Sequence, residues 1–233
     1  MNYIDNKEFQ EKIGYTFKNE KLLVRALTHT SYANELKINN YGHYERTEFL
    51  GDAVLELISS EYLFNEYPDM SEGKLTKLRA ALVCEYSLAK DAKSLNLSKF
   101  ILLGKGEEQT GGRNKDSIIA DVLEAVIGAI YLDSGIEEAR KFIHKFILND
   151  IENKQLFYDS KSILQEESQK RKLGGPQYVL VDESGPEHEK EFTVEVVIAG
   201  EHLGKATGCS KKAAEQKAAY EALLKLRTIV ETL

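Results

Sequence analysis

Glu45–Leu57 reads ERTEFLGDAVLEL, and the angles between its side chains decide how the first half of the chain is read. On an α-helix turning about 100° per residue, Glu45, Glu48, Asp52 and Glu56 fall within roughly a quarter of the circumference. Leu50, Val54, Leu57 and Ile58 gather nearly opposite. An ordinary amphipathic helix exposes a solvated face of mixed charge. Here no Lys or Arg stands at i+4 to relieve the repulsion, and Phe49 and Gly51 interleave with the acids. The stripe lacks the positive charge that would balance it.

A second stretch carries a matching deficit. Ile118–Leu132, IIADVLEAVIGAIYL, is apolar enough to be buried nearly all round as one helix, yet it holds Asp121 and Glu124 three residues apart on one face. Buried carboxylates without partners either take up protons or find a cation, and no basic residue lies within this stretch. An Arg or Lys from another helix would satisfy the pair alone. With both acidic stretches in view, an oxygen-rich site for a hard divalent cation accounts for them better.

The rest of the chain sets bounds. With 233 residues, 42% hydrophobic and 30% charged, it is long enough for one large domain or two small ones. The N-terminal MNYIDNKEFQ has no basic segment followed by an apolar one, and no run approaches about 18 apolar residues, so no membrane partner is expected and the expected location is the cytoplasm. Cys84 and Cys209 stand apart, without CxxC or a nearby His pair, which argues against a disulfide framework or a conventional zinc site. A formal net charge of −7 and a pI near 5.4 disfavour a generic nucleic-acid binder. Phosphate recognition depends on the field within about 8–10 Å, however, so a local basic strip remains compatible with an acidic chain.

From Lys7 to about Ile151 the apolar residues recur at spacings of three and four, predicting helices over Phe9–Ile13, Leu22–Leu27, Phe49–Leu63, Leu75–Leu95, Ile118–Leu132 and Ala139–Ile151. Between them, Gly104–Asn114 is a glycine-rich connector that matches neither a P-loop nor a dinucleotide fingerprint, and no small organic cofactor is expected. His29, in THTSY, and His43 have no partner motif for nucleophilic catalysis. Asp150–Lys161, DIENKQLFYDSK, is short, polar and uneven, and reads as a linker. Beyond it, a helix over Ser162–Lys172, alternating strands over Gln177–Glu183, Glu191–Ala199 and His202–Thr207, and a long helix over Ser210–Leu226 give the order αβββα. The expected architecture is an all-α N-terminal domain over 1–152, a linker over 153–160 and a small α+β domain over 161–230.

The last helix opens GCSKKAAEQKAAYEALLKL, with Ser210 as N-cap, then Lys211 and Lys212, and Lys217 about two turns along. Two ammonium groups at the positive end of a helix oppose its dipole and suit a bound anion. Gln165 and Gln169, at i and i+4, share a face of the preceding helix.

Glu45–Leu57 resembles the signature of the ribonuclease III family, and DSIIADVLEAVIGAIYLD at Asp116–Asp133 resembles its second acidic motif. ALTHTSYANE at Ala26–Glu35, SEGKLTKLRAALV at Ser71–Val83 and LGKGEEQTGGR at Leu103–Arg113 fit in the same order, with Thr47 departing from a more usual apolar residue. Asp159–Arg227 is similar to the double-stranded-RNA-binding domain: ILQEESQK to its first helix, GPEH at Gly185–His188 to its minor-groove loop, and SKKAAEQKAA to its phosphate-binding helix start. The resemblance implies an endoribonuclease that uses Mg²⁺, with Mn²⁺ able to substitute, on double-stranded RNA read by shape. It implies Asp52 and Glu124 as catalytic residues, Glu48, Asp121 and Glu124 as ion ligands, and Gln165, Gln169, His188, Lys211 and Lys212 as RNA contacts. Mg²⁺ held among Glu48, Asp52, Asp121 and Glu124 would activate water and, where two ions bind about 4 Å apart, stabilise the leaving oxygen as well, giving 5′-phosphate and 3′-hydroxyl ends. Glu45 and Glu72 would border the site. Phe49 would lie at the interface of a homodimer in which each subunit cuts one strand. Ribosomal and other RNA processing is the implied setting. The alternative is a double-stranded-RNA-binding scaffold that does not cut.

Overall fold

Residues 6–37, 42–185 and 190–231 are described by a computed structural model. The chain divides into two compact units, Met1–Ile151 and Glu152–Leu233. In chain order the elements are α1 (Asn6–Ile13), α2 (Glu20–Ala26), α3 (Thr30–Glu35), α4 (Glu45–Glu66), α5 (Glu72–Val83), α6 (Glu85–Ser94), α7 (Lys105–Gln109), α8 (Asp116–Ser134), α9 (Ile136–Phe146), α10 (Ile151–Tyr158), α11 (Ser160–Lys170), β1 (Gln177–Ser184), β2 (Glu191–Ile198), β3 (Glu201–Gly208) and α12 (Lys211–Glu231). The fold class is the expected one: helices, then a small αβββα unit.

The first unit is built around α8. Ile119, Val122, Leu123, Ala125, Val126, Ile127, Ala129 and Ile130 are buried on all sides of it, and α2, α4, α6 and α9 pack against it. An apolar circumference of this kind leaves the helix no solvated face, which puts it at the centre of the bundle. Its C-terminal end is tied down by Asp133, whose carboxylate accepts hydrogen bonds from the Tyr15 hydroxyl at 2.6 Å and from the Lys18 and Asn19 amides at 2.9 Å. Burial pushes the Asp133 carboxyl up, but these three donors outweigh it and hold the group below its ordinary range.

Two features differ from the periodicity. Leu75–Leu95 is not one helix: the chain turns extended at Cys84, between α5 and α6. The Ser87 hydroxyl donates to the Ala81 carbonyl at 2.6 Å and satisfies an acceptor that the break exposes, while the apolar spacing continues across it. Leu57, expected on the buried side of α4, is 61% exposed, as are Phe49 at 79% and Phe64 at 72%. Positions 49, 57 and 64 repeat at about two turns and form an apolar line along the outside of the helix.

In the second unit, three antiparallel strands in the order β1-β2-β3 carry helices against their inner face, where Val194, Val196 and Ile198 of β2 are buried. Alanines 218, 219 and 222 of α12 let that helix lie close to the sheet, and Leu164 of α11 and Leu156 of α10 complete the cluster. The segment 153–160 therefore includes helix up to Tyr158. Gln216 fixes the junction of α10 and α11, its side-chain amide donating to the carbonyls of Phe157 and Tyr158, each at 2.6 Å.

Candidate metal centre and RNA interface

The acidic face of α4 comes together with that of α8 because glycine sits where the two helices touch. A Cβ added at Gly51 would run into the carbonyl of Glu124, and one added at Gly128 would run into the carbonyl of Thr47. Residue 47 opposes 128 while 51 opposes 124, so the helices run antiparallel with their backbones in contact. Glycine within a helix costs about 1 kcal/mol relative to alanine. Here it permits an approach that no side chain would allow, and it places Glu48 and Asp52 beside Asp121 and Glu124.

The four acids of the α4 stripe, Glu45, Glu48, Asp52 and Glu56, separate into different roles. Glu45 is exposed, with one carboxylate oxygen 3.8 Å from His43 Nδ1. Glu56 meets Arg79 of α5, 3.2 Å from its guanidinium, which supplies a cation the helix itself lacks. Glu48 turns to α8 and joins Asp121 and Glu124, so that one oxygen from each lies within 4.8 Å of the others. All three are half-buried. Asp52 is exposed and falls outside this group, although its charge acts on both Glu48 and Glu124.

Like charges held this close oppose ionisation. Burial, followed by Asp121, Glu45 and Asp52, pushes the Glu48 carboxyl up to about 7. Burial, followed by Asp52, Asp121, Glu48 and Glu56, pushes Glu124 up to about 8. Burial raises Asp121 too, opposed by a hydrogen bond from the Tyr44 hydroxyl to its Oδ2 at 3.3 Å. Among the described residues, no Lys, Arg or His forms an ion pair with Glu48, Asp52, Asp121 or Glu124. Three oxygen donors facing one point with no protein cation fit a hard divalent ion.

Two residues at this centre escape the sequence argument. Gly128 had a readable signal, since an isolated glycine in an apolar helix usually marks a close approach. Tyr44 had none: its partner Asp121 is 77 residues away. Glu72 opens α5, where its carboxylate accepts a hydrogen bond from the Thr76 hydroxyl at 3.0 Å.

In the second unit Ser210 caps α12, its hydroxyl accepting the Ala213 amide at 3.1 Å. Lys211 and Lys212 are exposed on the first turn. Lys211 Nζ lies 3.9 Å from a Glu183 oxygen and 5.6 Å from the centre of the Phe192 ring. Gln165 and Gln169 lie on α11, the first half-buried and the second exposed, and α11 packs on α12. His188 lies outside the described residues.

A helical unit with four carboxylates that no cation pairs among the described residues, followed by an αβββα unit with lysines at a helix start, has the composition of a metal-dependent nuclease carrying its own nucleic-acid-binding module. A family model described as Ribonuclease-III-like matches residues 19–151, and one described as Double-stranded RNA binding motif matches residues 160–226. Ribonuclease 3 of a Geobacillus species is 52% identical over 225 residues, covering 96% of this chain and 92% of its own. Ribonuclease 3 of Bacillus cereus is 51% identical over 223 residues, covering 95% and 91%. The solved nuclease domain of ribonuclease III from Campylobacter jejuni, described for flexibility in a region involved in dimer formation, superposes with a TM-score of 0.58. Its sequence identity is 47%, over 61% of this chain and 96% of that one. The chain belongs to the ribonuclease III family, the endoribonucleases of double-stranded RNA.

Proposed function

We propose that this protein hydrolyses phosphodiester bonds of double-stranded RNA with Mg²⁺ held by Glu48, Asp121 and Glu124, Mn²⁺ serving as a substitute. The observation that carries this reading is the convergence of those three carboxylates within 4.8 Å. The donor set is all oxygen and anionic, which suits a hard cation. When bound, the ion supplies positive charge to phosphate oxygens and activates the attacking water.

The chain's own residues do the rest. Glu48, Asp121 and Glu124 project from two helices locked together by backbone contact, which places the three donors side by side before substrate arrives. Asp52 is exposed beside them and reaches substrate and solvent; with Glu124 it is the catalytic pair. Gln165 and Gln169 on α11 meet 2′-hydroxyls and base edges of an A-form groove, and Lys211 and Lys212 meet phosphates. The resemblance of GPEH at 185–188 to the family's minor-groove loop adds His188 to the RNA contacts. The products carry 5′-phosphate and 3′-hydroxyl ends, and precursors of ribosomal RNA in the cytoplasm are the expected substrates.

The apolar line of Phe49, Leu57 and Phe64 supports a symmetric homodimer. Three large side chains, each more than half exposed on one helix, are covered when a second copy lies against them. Each subunit then cuts one strand, leaving a short 3′ overhang.

Glu124→Gln tests the assignment. In Ca²⁺ the variant should bind a long RNA duplex like the wild type, and in Mg²⁺ it should cut at least about 100-fold more slowly. Equal cutting by the two proteins removes Glu124 from the reaction.

A further inference from the structure

The ALTHTSYANE stretch acquires a role through Tyr44. Tyr44 is buried at the start of α4, and its hydroxyl donates to Asp121 Oδ2 at 3.3 Å. It is held from behind at several points. Its amide donates to the Thr28 carbonyl at 3.0 Å, and its ring lies 5.5 Å from that of His29 at an interplanar angle of 36°. His29 is itself fixed: its Nδ1 accepts the Ser31 amide at 3.1 Å, and its own amide donates to the Leu102 carbonyl at 3.0 Å. The Ser31 hydroxyl in turn accepts the Gly104 amide at 2.9 Å. A continuous support therefore runs from the Leu102–Gly104 segment through Ser31 and His29 to Tyr44, and ends on one oxygen of Asp121.

A carboxylate turns about its terminal torsion in a broad well. Of the three carboxylates at the ion site, Asp121 alone has a hydrogen bond from another side chain among the described residues. We propose that Tyr44 is a positioning residue of the ion site: its hydroxyl, anchored by Thr28 and His29, fixes the rotation of the Asp121 carboxylate and so raises the affinity of the site for a divalent cation. Outer groups that orient a ligand in this way typically account for 10- to 100-fold in metal affinity. Burial, then the charges of Asp121 and Glu48, push the Tyr44 phenol well above its ordinary range, so it remains a hydrogen-bond donor. The inference rests on the ion site proposed above.

The test is direct titration of Mn²⁺ into the full-length protein without RNA, followed by the resonance of free Mn²⁺, for the wild type, Tyr44→Phe and Glu124→Gln. Phenylalanine keeps the ring and its packing on His29 and removes only the hydroxyl, and the thermal midpoint in chelator verifies that the variant is folded. The expected result is a dissociation constant about tenfold weaker for Tyr44→Phe. In cleavage assays the Mg²⁺ concentration at half-maximal rate should rise by a similar factor, and the loss should diminish as Mg²⁺ is raised. An unchanged Mn²⁺ affinity, or a lower maximal rate with an unchanged half-saturation, would overturn the role of Tyr44 and leave the ion site standing. If the wild type bound Mn²⁺ no better than Glu124→Gln, the ion site itself would fall.

Discussion

Replacing Glu124 with glutamine removes a charge that the folded protein holds at a loss, so in the absence of metal the variant should be the more stable protein. The Glu124 carboxyl is pushed up to about 8 from an ordinary 4.5, first by burial and then by Asp52, Asp121, Glu48 and Glu56. A raised pKa means that the folded state binds the proton more tightly than the unfolded one. The penalty is absent below about 4.5, grows as pH rises, and is complete above about 8. At about 1.4 kcal/mol per pKa unit, and with water reaching a site that is only half-buried, it amounts to on the order of 3 kcal/mol. For a helical unit of this size that corresponds to roughly 6–12 °C in thermal midpoint. The assay is thermal unfolding followed by far-ultraviolet circular dichroism, at pH 8.5 and pH 5, in chelator and in excess Mg²⁺. In chelator at pH 8.5, Glu124→Gln should melt above the wild type, and the gap should close toward pH 5 as the wild-type carboxyl takes up its proton. In Mg²⁺ the wild type should gain stability and the variant should gain less. A variant that melts below the wild type in chelator at pH 8.5 would show Glu124 to be making a structural contact of its own, against an uncompensated buried charge.

Three further outcomes follow from separate parts of the molecule. Gly128→Ala should destabilise the helical unit by about 2–3 kcal/mol, since the added methyl meets the Thr47 backbone, which cannot turn aside; an unchanged thermal midpoint would contradict the close approach of α4 and α8. Lys211→Ala with Lys212→Ala should weaken binding to duplex RNA and flatten the dependence of log K on log salt by about 0.7–0.9 for each phosphate that the protein no longer neutralises. A slope equal to that of the wild type would take both lysines off the phosphate backbone. Leu57→Glu with Phe64→Glu should give a monomer in sedimentation at micromolar concentration where the wild type gives a dimer, and a monomeric wild type would remove the dimer.

The architecture was legible where composition and periodicity agree. Ile118–Leu132 reads as a helix buried nearly all round, and the two acids that interrupt it mark the site, because a buried carboxylate needs an explanation and a buried leucine does not. The αβββα order followed from alternation and turn residues. Contacts between distant segments were less accessible. Leu57 lies where periodicity puts a core residue, yet the neighbours of α4 leave it exposed, and apolar spacing cannot distinguish a face covered by the same chain from one left open. The break at Cys84 is invisible because the apolar repeat runs through it. Glu56 reads as one of four equal acids until Arg79 of α5 arrives beside it. Tyr44 and Asp121 meet only once the chain between them has folded.

On the proposed function, the protein is a nuclease for double-stranded RNA that depends on a divalent ion. The most direct test is incubation of a long, end-labelled RNA duplex with the purified protein, in Mg²⁺ and in chelator, beside single-stranded RNA and duplex DNA of the same sequence. Cutting of the RNA duplex alone, only with Mg²⁺, and with 5′-phosphate ends is the expected result. Binding without cutting in both Mg²⁺ and Mn²⁺ would make the protein a double-stranded-RNA-binding scaffold and not a nuclease.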